Sequence, residues 1–364
     1  MKMILKKLSL TNYKSIGALE LDFNSSINCF VGDNGIGKSN IIDSIYHLAF
    51  GKSYFNPSTN ENIKFGTDFF VIKGKFKNLK RIENIICSFK KGQKKKIKRN
   101  QKNYDKISDH IGLIPLVIIS PIDQDLILEG SATRRKFIDG VIGQTDKIYL
   151  QKILDYNKIL TQRNTLLKYF SLNQNFNKGT IEIYNSQLSG LAKPIFEKRL
   201  SFLNSFIPLF EECYKKISGS DENVNIIYKS DLKEKSTSDL LEESIDLDRA
   251  YKFTTKGIHK DDLEFKIMGQ NIRKFGSQGQ QKSFLIALKI AQFNFMKNVF
   301  KTNPIVLLDD IFDKLDYNRV KKIIKLFQNQ KMGQIFISDT DENRIKKVLS
   351  PLKNSYKIFN LNSI

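Results

Sequence analysis

Cysteine, histidine, acidic residues and long apolar runs are all scarce in this chain, and each shortage excludes something. The three cysteines, Cys29, Cys87 and Cys213, are odd in number, far apart and without a C-x-x-C pair. That excludes a disulfide framework and fits free, core-filling thiols in a reducing compartment. The three histidines, His47, His110 and His259, lack metal-ligand spacing, so a structural role is preferred for each. The longest near-apolar stretch, Ile111 to Ile122, is broken by Pro115, Ser120 and Pro121. It falls short of the ~18–20 residues that a membrane span needs. The opening Met1-Lys2-Met3-Ile4 turns polar quickly, with no signal-peptide core. The expectation is a soluble, cytoplasmic protein with no membrane partner. There is no internal repeat and no long disordered tract.

Acidic residues number 38 against 60 Lys plus Arg, a formal net charge of +22. A Lys-, Asn- and Ile-rich chain can reach such a balance by compositional drift. The excess is concentrated in segments, however, which favours a polyanionic partner, either nucleic acid or an anionic membrane surface. One dense segment runs from Lys90 to Lys102, with Gly92 suggesting a hairpin tip. It reads equally as a contact to phosphate backbone or as a solvated hairpin end. With 364 residues the chain is long enough for two or three domains and an ample core.

What is present is a nucleotide-binding signature. Gly32-Asp33-Asn34-Gly35-Ile36-Gly37-Lys38-Ser39 matches the phosphate-binding P-loop, G-x-x-x-x-G-K-[ST]. Ile27-Asn28-Cys29-Phe30-Val31 before it is short and apolar enough for a buried strand, and Asn40 to Leu48 after it carries apolar residues at helical spacing. Gly32, Gly35 and Gly37 allow the tight turn that aims backbone N–H groups at phosphate oxygens. The positive end of the following helix dipole points the same way. Lys38 is placed to reach the β- and γ-phosphates of ATP, and Ser39 to offer its hydroxyl to Mg2+.

Pro304-Ile305-Val306-Leu307-Leu308-Asp309-Asp310 supplies the complementary Walker-B pattern. A strand buried on both faces needs a continuous apolar run. Asp309 at its end suits Mg2+, and Asp310 suits polarising an attacking water. The wide separation of the two motifs implies that a large insertion divides the ATPase. Gly276-Ser277-Gln278-Gly279-Gln280-Gln281-Lys282 resembles the ABC signature, with Gln278 in place of its first glycine. There Ser277, Gly279 and Gln280 would present a helix N-terminus to the γ-phosphate of a second protomer; the alternative is an ordinary cap made by Ser277. Asp313-Lys314-Leu315-Asp316 is similar to the D-loop, and Ile335 to Thr340 reads as a strand ending at the switch position, with Thr340 where most ABC ATPases carry His.

Between these halves the pattern is helical from about Thr133 to Ile217. Ile153, Tyr156, Leu160 and Leu167 share one face, as do Leu188, Leu191, Ile195, Phe202 and Phe206 further on. Asn173 to Gly179 reads as the turn between two long helices, and Pro194 as a kink or restart in the second. Asn223 to Tyr228 and Leu263 to Met268 read as strands, and Ser236 to Tyr251 as an acidic helix. The resulting class is α/β: an ABC-type ATPase head split in sequence, with an inserted α-helical arm. The expected divisions are residues 1–125, 126–220 and 221–364.

With these motifs in order, the chain resembles the RecF family of bacterial DNA replication and repair proteins, which is akin to SMC proteins. Gly130-Ser131-Ala132-Thr133-Arg134-Arg135-Lys136-Phe137-Ile138-Asp139 is similar to its G-S-x-x-R-R-x-F-[LI]-D string. Tyr156-Asn157 and Gln162-Arg163-Asn164 resemble its arm helix. Gly257 to Leu263 resembles G-P-H-R-D-D-L, with Ile258 and Lys260 as departures. Asn40 after the P-loop, Ser277-Gln278-Gly279-Gln280-Gln281, and Asp310 in place of Glu follow the family's habit. Leu10-Thr11-Asn12-Tyr13-Lys14 is similar to the family's strand that ends in an aromatic–basic pair near adenine, with Lys14 where the family usually has Arg.

The resemblance implies an ATP-dependent clamp. Two heads would sandwich two ATP molecules, each held by one P-loop and the facing Ser277. The homodimer would bind single- and double-stranded DNA near gaps and help load recombinase, with RecO and RecR as partners, in repair, replication restart and the SOS response. Hydrolysis would be slow and DNA-stimulated. The alternative weighed is an SMC-like antiphage or nuclease-linked ATPase, but neither a long heptad coiled coil nor a nuclease motif is found. A transporter ATPase subunit would carry a His switch and more closely spaced Walker motifs.

Overall fold

The structure, a computed structural model, describes residues 3–78, 81–310, 333–350 and 356–363. These fall into two compact units. The first joins Met1–Gln124, Lys216–Gly219 and Lys282–Ile364, so it is assembled from both ends of the chain. The second comprises Asp125–Lys215 and Ser220–Gln281. It therefore takes in the segment after 220 together with the helices.

The first unit contains two sheets. Strands β1 (Met3–Tyr13), β2 (Ile16–Asp22), β4 (Phe69–Asn78), β5 (Arg81–Lys90), β6 (Lys96–Arg99) and β7 (Lys102–Asn103) form an antiparallel sheet in the order β2-β1-β4-β5-β6-β7. The second sheet is parallel, in the order β14-β3-β13-β12-β8. Its strands are β3 (Ile27–Val31), β8 (Leu116–Ile119), β12 (Ile305–Leu308), β13 (Ile335–Asp339) and β14 (Tyr356–Asn360). β3, β8, β12 and β13 are buried at every position. That is why β8 and β12 read as unbroken apolar runs, and β3 and β13 as mostly apolar ones, and not as alternation.

The Lys38–Phe50 helix joins the two sheets in one core. Ile41, Ile42, Ile45 and Leu48 of the helix cluster with Leu5, Leu10, Ile72 and Phe76 of the antiparallel sheet and with Leu116, Leu307 and Phe336 of the parallel one. At roughly 1.5–3 kcal/mol for each buried aliphatic or aromatic side chain, this packing fixes where the helix begins. The helix start in turn fixes the P-loop. His47 and His110 belong to this core, His47 with Tyr13 and His110 on the Leu48 carbonyl. The three cysteines are buried, and none forms a disulfide among the described residues.

The second unit holds helices at Ser131–Thr145, Lys147–Leu172 and Lys178–Ser218, and a small sheet of β9 (Val224–Lys229), β10 (Asp262–Ile267) and β11 (Gln270–Asn271). Two expectations change here. Pro194 neither ends nor restarts its helix, which runs unbroken for 41 residues and contains Pro208 as well. A proline inside a helix costs about 3 kcal/mol. Leu188, Ala192, Ile195, Phe202, Phe206 and Phe210 are buried on both sides of these prolines and outweigh that cost. The acidic segment is two short helices, Thr237–Glu243 and Ile245–Tyr251, separated by Ser244.

The strings that carried the family resemblance meet in this unit. Arg134 makes a two-pronged pair with Asp262, at 2.7 and 3.0 Å. Arg199, which is 1% exposed, bonds both oxygens of Asp139, the Asp261 carboxylate and the Ile258 carbonyl. Arg163, equally buried, bonds Asp248, Thr254 and Asn185. His259 bonds Tyr156 and the Thr254 carbonyl, and burial lowers its pKa to about 4. Burying a charge is costly unless it is paired and hydrogen-bonded. These residues are therefore bound to one another as a set, and the set ties the helices to the small sheet. Arg199→Met would leave Asp139 and Asp261 without their cation. We expect a loss of about 3–5 kcal/mol, read as a lower urea midpoint for the unfolding of this unit.

Candidate nucleotide site

The P-loop leaves β3 at Val31 and enters the Lys38–Phe50 helix. Gly32, Gly35 and Gly37 have φ of 149°, 84° and 112°. Side-chain-bearing residues are strained there, so the loop path requires glycine. At Gly32 a Cβ would also lie 2.9 Å from Asn362 Oδ1. The same Asn362 oxygen accepts from the Asp33 N–H at 3.1 Å. Asp33, Asn34, Gly35 and Ile36 are exposed at the crest, whereas Lys38 is buried. Its ammonium donates to the carbonyls of Gly32 at 2.7 Å and Asp33 at 2.9 Å, which holds the cation under the loop. Asn40 donates to Ser15 Oγ at 2.7 Å and ties the helix start to the β1–β2 turn.

Lys14 sits in that turn with φ of 52°. Its ammonium lies 2.6 Å from Asp43 and 5.4 Å from the centre of the Phe55 ring. Asp43 was not anticipated. It is fully buried and accepts from the Tyr13 hydroxyl, the Ser53 hydroxyl and the Tyr54 N–H, at 2.8, 2.6 and 2.6 Å. Four partners for one carboxylate lock the P-loop helix to β1 and to the segment after the helix.

The sheet order sets the rest of the geometry. β13 lies between the P-loop strand β3 and the Walker-B strand β12. All three run parallel, so Val31, Asp339 and Asp309 reach the same edge. Ser338, at the end of β13, donates to Asp309 Oδ1 at 2.7 Å and accepts from the Asp310 N–H at 2.9 Å. One hydroxyl thus sets both acidic residues. Asp310 has φ of 50°, a left-handed conformation that Asp tolerates better than most residues. Asp309 is 3% exposed. Burial raises the pKa of its carboxyl, and hydrogen bonds from Ser338 and Ser39 oppose that shift. Ser39 of the P-loop and Asp309 of Walker B are therefore neighbours, as a shared cation would require.

These residues fit Mg2+ with a nucleotide. Among the described residues no group of three or more His, Cys, Asp and Glu is arranged to hold a metal. One hydroxyl and one carboxylate suit an ion that takes its remaining ligands from phosphates and water. Asp339, the last residue of β13, is held by Arg344 of the following helix, and Thr340 is half-buried beside it.

Ser277, Gly279 and Gln280 lie in the second unit, at the start of the Gln278–Phe300 helix. Ser277 Oγ accepts from the Gln280 N–H at 3.2 Å, and the Gln280 side chain accepts from the Ser277 N–H at 2.8 Å. This reciprocal capping box fixes the helix N-terminus. Gln280 also donates to Glu222 at 2.8 Å. Asp316 lies outside the described residues.

The paired phosphate loop and acidic strand, on a parallel sheet backed by an antiparallel one, define an ABC/SMC-type ATPase head. The RecF/RecN/SMC N-terminal domain family matches residues 4–362. The DNA replication and repair protein RecF of Flavobacterium johnsoniae is 56% identical over 99% of this chain and 100% of its own length. A structure described as the recombination mediator protein RecF-ATP in the RecFOR pathway superposes with a TM-score of 0.87 at 29% identity, over 94% of this chain and 93% of that one. An Smc head domain from Pyrococcus furiosus shares the fold, with a TM-score of 0.55 at 18% identity over 94% and 91% of the two chains. The chain belongs to the RecF family of DNA replication and repair proteins.

Ser338→Ala removes the hydroxyl that donates to the Asp309 carboxylate and accepts from the Asp310 N–H. Losing a buried hydrogen bond to a charged group costs about 1.5–3 kcal/mol. The same loss pushes the Asp309 pKa further above its ordinary 3.8, since a hydrogen bond that favours the carboxylate against burial is gone. A raised carboxyl pKa destabilises the fold above that pKa, and the cost is relieved as the folded protein takes up the proton. The variant's urea midpoint should therefore fall most at neutral pH and approach that of the parent as pH drops through the raised pKa towards 3.8. A difference that does not vary with pH would contradict the placement of Ser338 on Asp309.

Proposed function

We propose that this chain binds Mg2+-ATP at its P-loop and uses it to close two copies head to head on DNA, as a clamp in recombinational repair and replication restart. The observation that carries the reading is the shared edge of the parallel strands β3, β13 and β12, which brings the P-loop and the Asp309 carboxylate together, with the Asp310 N–H held beside it by Ser338. The loop would cradle the phosphates through Gly32 to Gly37, and Lys38 would exchange its loop carbonyls for phosphate oxygens. Ser39 and Asp309 would hold the cation. Asp310 would take the proton of the attacking water. Lys14, beside Asp43 and Phe55, would border the adenine. Thr340 and Asp316 would sense the γ-phosphate side and the partner copy.

An isolated P-loop leaves the γ-phosphate open on one side. The capped helix start at Ser277, Gly279 and Gln280 has the donors to close that side on a second copy. ATP would then join the protomers, and ADP, lacking the γ-phosphate, would not. The net charge of +22 supports binding of single- and double-stranded DNA, and gapped substrates with RecO and RecR as partners in recombinase loading follow from the family. The setting would be the cytoplasm.

Asp310 is shorter than the Glu common at this position, so turnover should be slow and DNA-stimulated. Asp310→Asn keeps the shape but loses the base. Hydrolysis should fall on the order of 10²-fold or more while ATP affinity holds; equal losses in both would contradict the role. Ser277→Arg puts bulk and positive charge in the shared interface. That variant should bind ATP in its own P-loop, sediment as a monomer with Mg2+-ATP, and lose the ATP-stimulated part of DNA binding. Normal ATP-dependent dimerisation by Ser277→Arg would overturn the shared-site mechanism.

A further inference from the structure

The six-stranded antiparallel sheet has one buried face and one open face, and the open face carries six lysines set among apolar and neutral polar residues. Leu8, Leu10, Ile72, Phe76, Ile85 and Cys87 point into the core. Strand alternation sends their neighbours the other way. On β4 these are Val71, Lys73, Lys75 and Lys77; on β5, Ile82, Asn84, Ile86 and Ser88; on β6, Lys96 and Lys98. β1 adds Lys7 beside Lys75.

The register assembles the lysines into rows. Lys7 is directly opposite Lys75, and Lys73 shares a row with Ile86 and Lys98. Lys73, Lys75, Lys77 and Lys96 are exposed. Among the described residues, none of these four nor Lys98 forms an ion pair, and Lys7 pairs with Glu20. Acid on this face is confined to the edge strand β2, at Glu20 and Asp22. Like charges directly opposite one another destabilise a sheet. A merely soluble surface intersperses both signs. Among these lysines Lys7 and Lys75 are directly opposite, and an anionic ligand would offset their repulsion.

We propose that this open face binds the phosphate backbone of duplex DNA, through Lys7, Lys73, Lys75, Lys77, Lys96 and Lys98. The inference rests on the DNA-binding reading above and names the surface that reading lacked. Lysines two apart on a strand are ~6.6–6.8 Å from each other, and neighbouring strands are ~4.7–4.9 Å apart. The grid thus presents charge in two dimensions, as the two closely spaced phosphate chains of a duplex do. Flexible lysine stems with no planar fork suit backbone contact without base reading. The Lys90–Lys102 segment continues the positive surface around the β5–β6 turn, where Lys91 and Lys94 are exposed. Such a continuous field fits an extended polyanion of uniform charge better than a short acidic peptide.

The test uses the full chain with Mg2+-ATP and a labelled random-sequence duplex, titrated with salt. Lys73→Gln/Lys75→Gln/Lys98→Gln removes three charges from the face and leaves the core untouched. Lys158→Gln/Lys168→Gln/Lys193→Gln removes the same charge from exposed positions on the long helices. Each phosphate contact contributes ~0.9 to the slope of log affinity against log salt. The face variant should lose about 2–3 from that slope and on the order of 10² in affinity near 0.1 M salt. The helix variant should match the parent, ATP affinity should hold in both, and Arg at the three face positions should restore binding. An unchanged slope, or an equal loss in the helix variant, would overturn the proposal. So would retained duplex binding with lost binding of poly-glutamate, which would mark an acidic protein's site. Failure of the unmodified chain to bind duplex would overturn the DNA reading itself and the face with it.

Discussion

Everything at the candidate site depends on one arrangement: a carboxylate buried at the end of a parallel strand, beside the hydroxyl of a phosphate loop. Asp309 is nearly inaccessible, and burial alone would favour its neutral form. The Ser338 hydroxyl donates to it and opposes that shift, as the proposed cation site would require. The interposition of β13 between β3 and β12 makes this possible, because it carries Ser338 to the point where both acids can be reached. The two ends of the chain must therefore fold together before any site exists.

A second buried carboxylate, Asp43, does for the P-loop what Ser338 does for Walker B. Its four partners come from β1, the β1–β2 turn and the segment following the Lys38–Phe50 helix. Loop geometry is thereby tied to the antiparallel sheet, whose outer lysines face solvent. Nucleotide chemistry and the cationic face share one scaffold. The second unit is organised differently, around the paired arginines Arg134, Arg163 and Arg199. The strings that mark the family most specifically thus hold a fold together, while the shorter and commoner motifs form the site.

Much of this was legible in the sequence, for a physical reason in each case. The P-loop announces itself because phosphate contact demands glycine at set spacing. β3 and β12 announce themselves because double-sided burial leaves mostly apolar residues, Asn28 of β3 being the exception. Ser338 and Asp43 did not, because a serine at a strand end and an aspartate inside a helix carry no local pattern; their meaning lies in partners distant in sequence. Pro194 misled because local propensity weighs a missing hydrogen bond, whereas the helix is held by buried side chains on either side. The acidic segment read as one helix because its periodicity continues through Ser244, where the backbone turns. The division of the chain after residue 220 had no signal either, since β9 and β10 pair with each other and not with the parallel sheet.

The central claim is that Ser39 and Asp309 together make nucleotide binding depend on a divalent cation. The most direct measurement is the thermal unfolding of the unmodified chain with ATP plus Mg2+, with ATP plus a chelator, and with Mg2+ alone. Ligand at a hundredfold over its dissociation constant stabilises the folded state by about 2.7 kcal/mol. The account predicts a clear rise in unfolding temperature for ATP with Mg2+, a much smaller one for ATP with chelator, and almost none for Mg2+ alone. Equal stabilisation with and without the cation, or none with either, would contradict it.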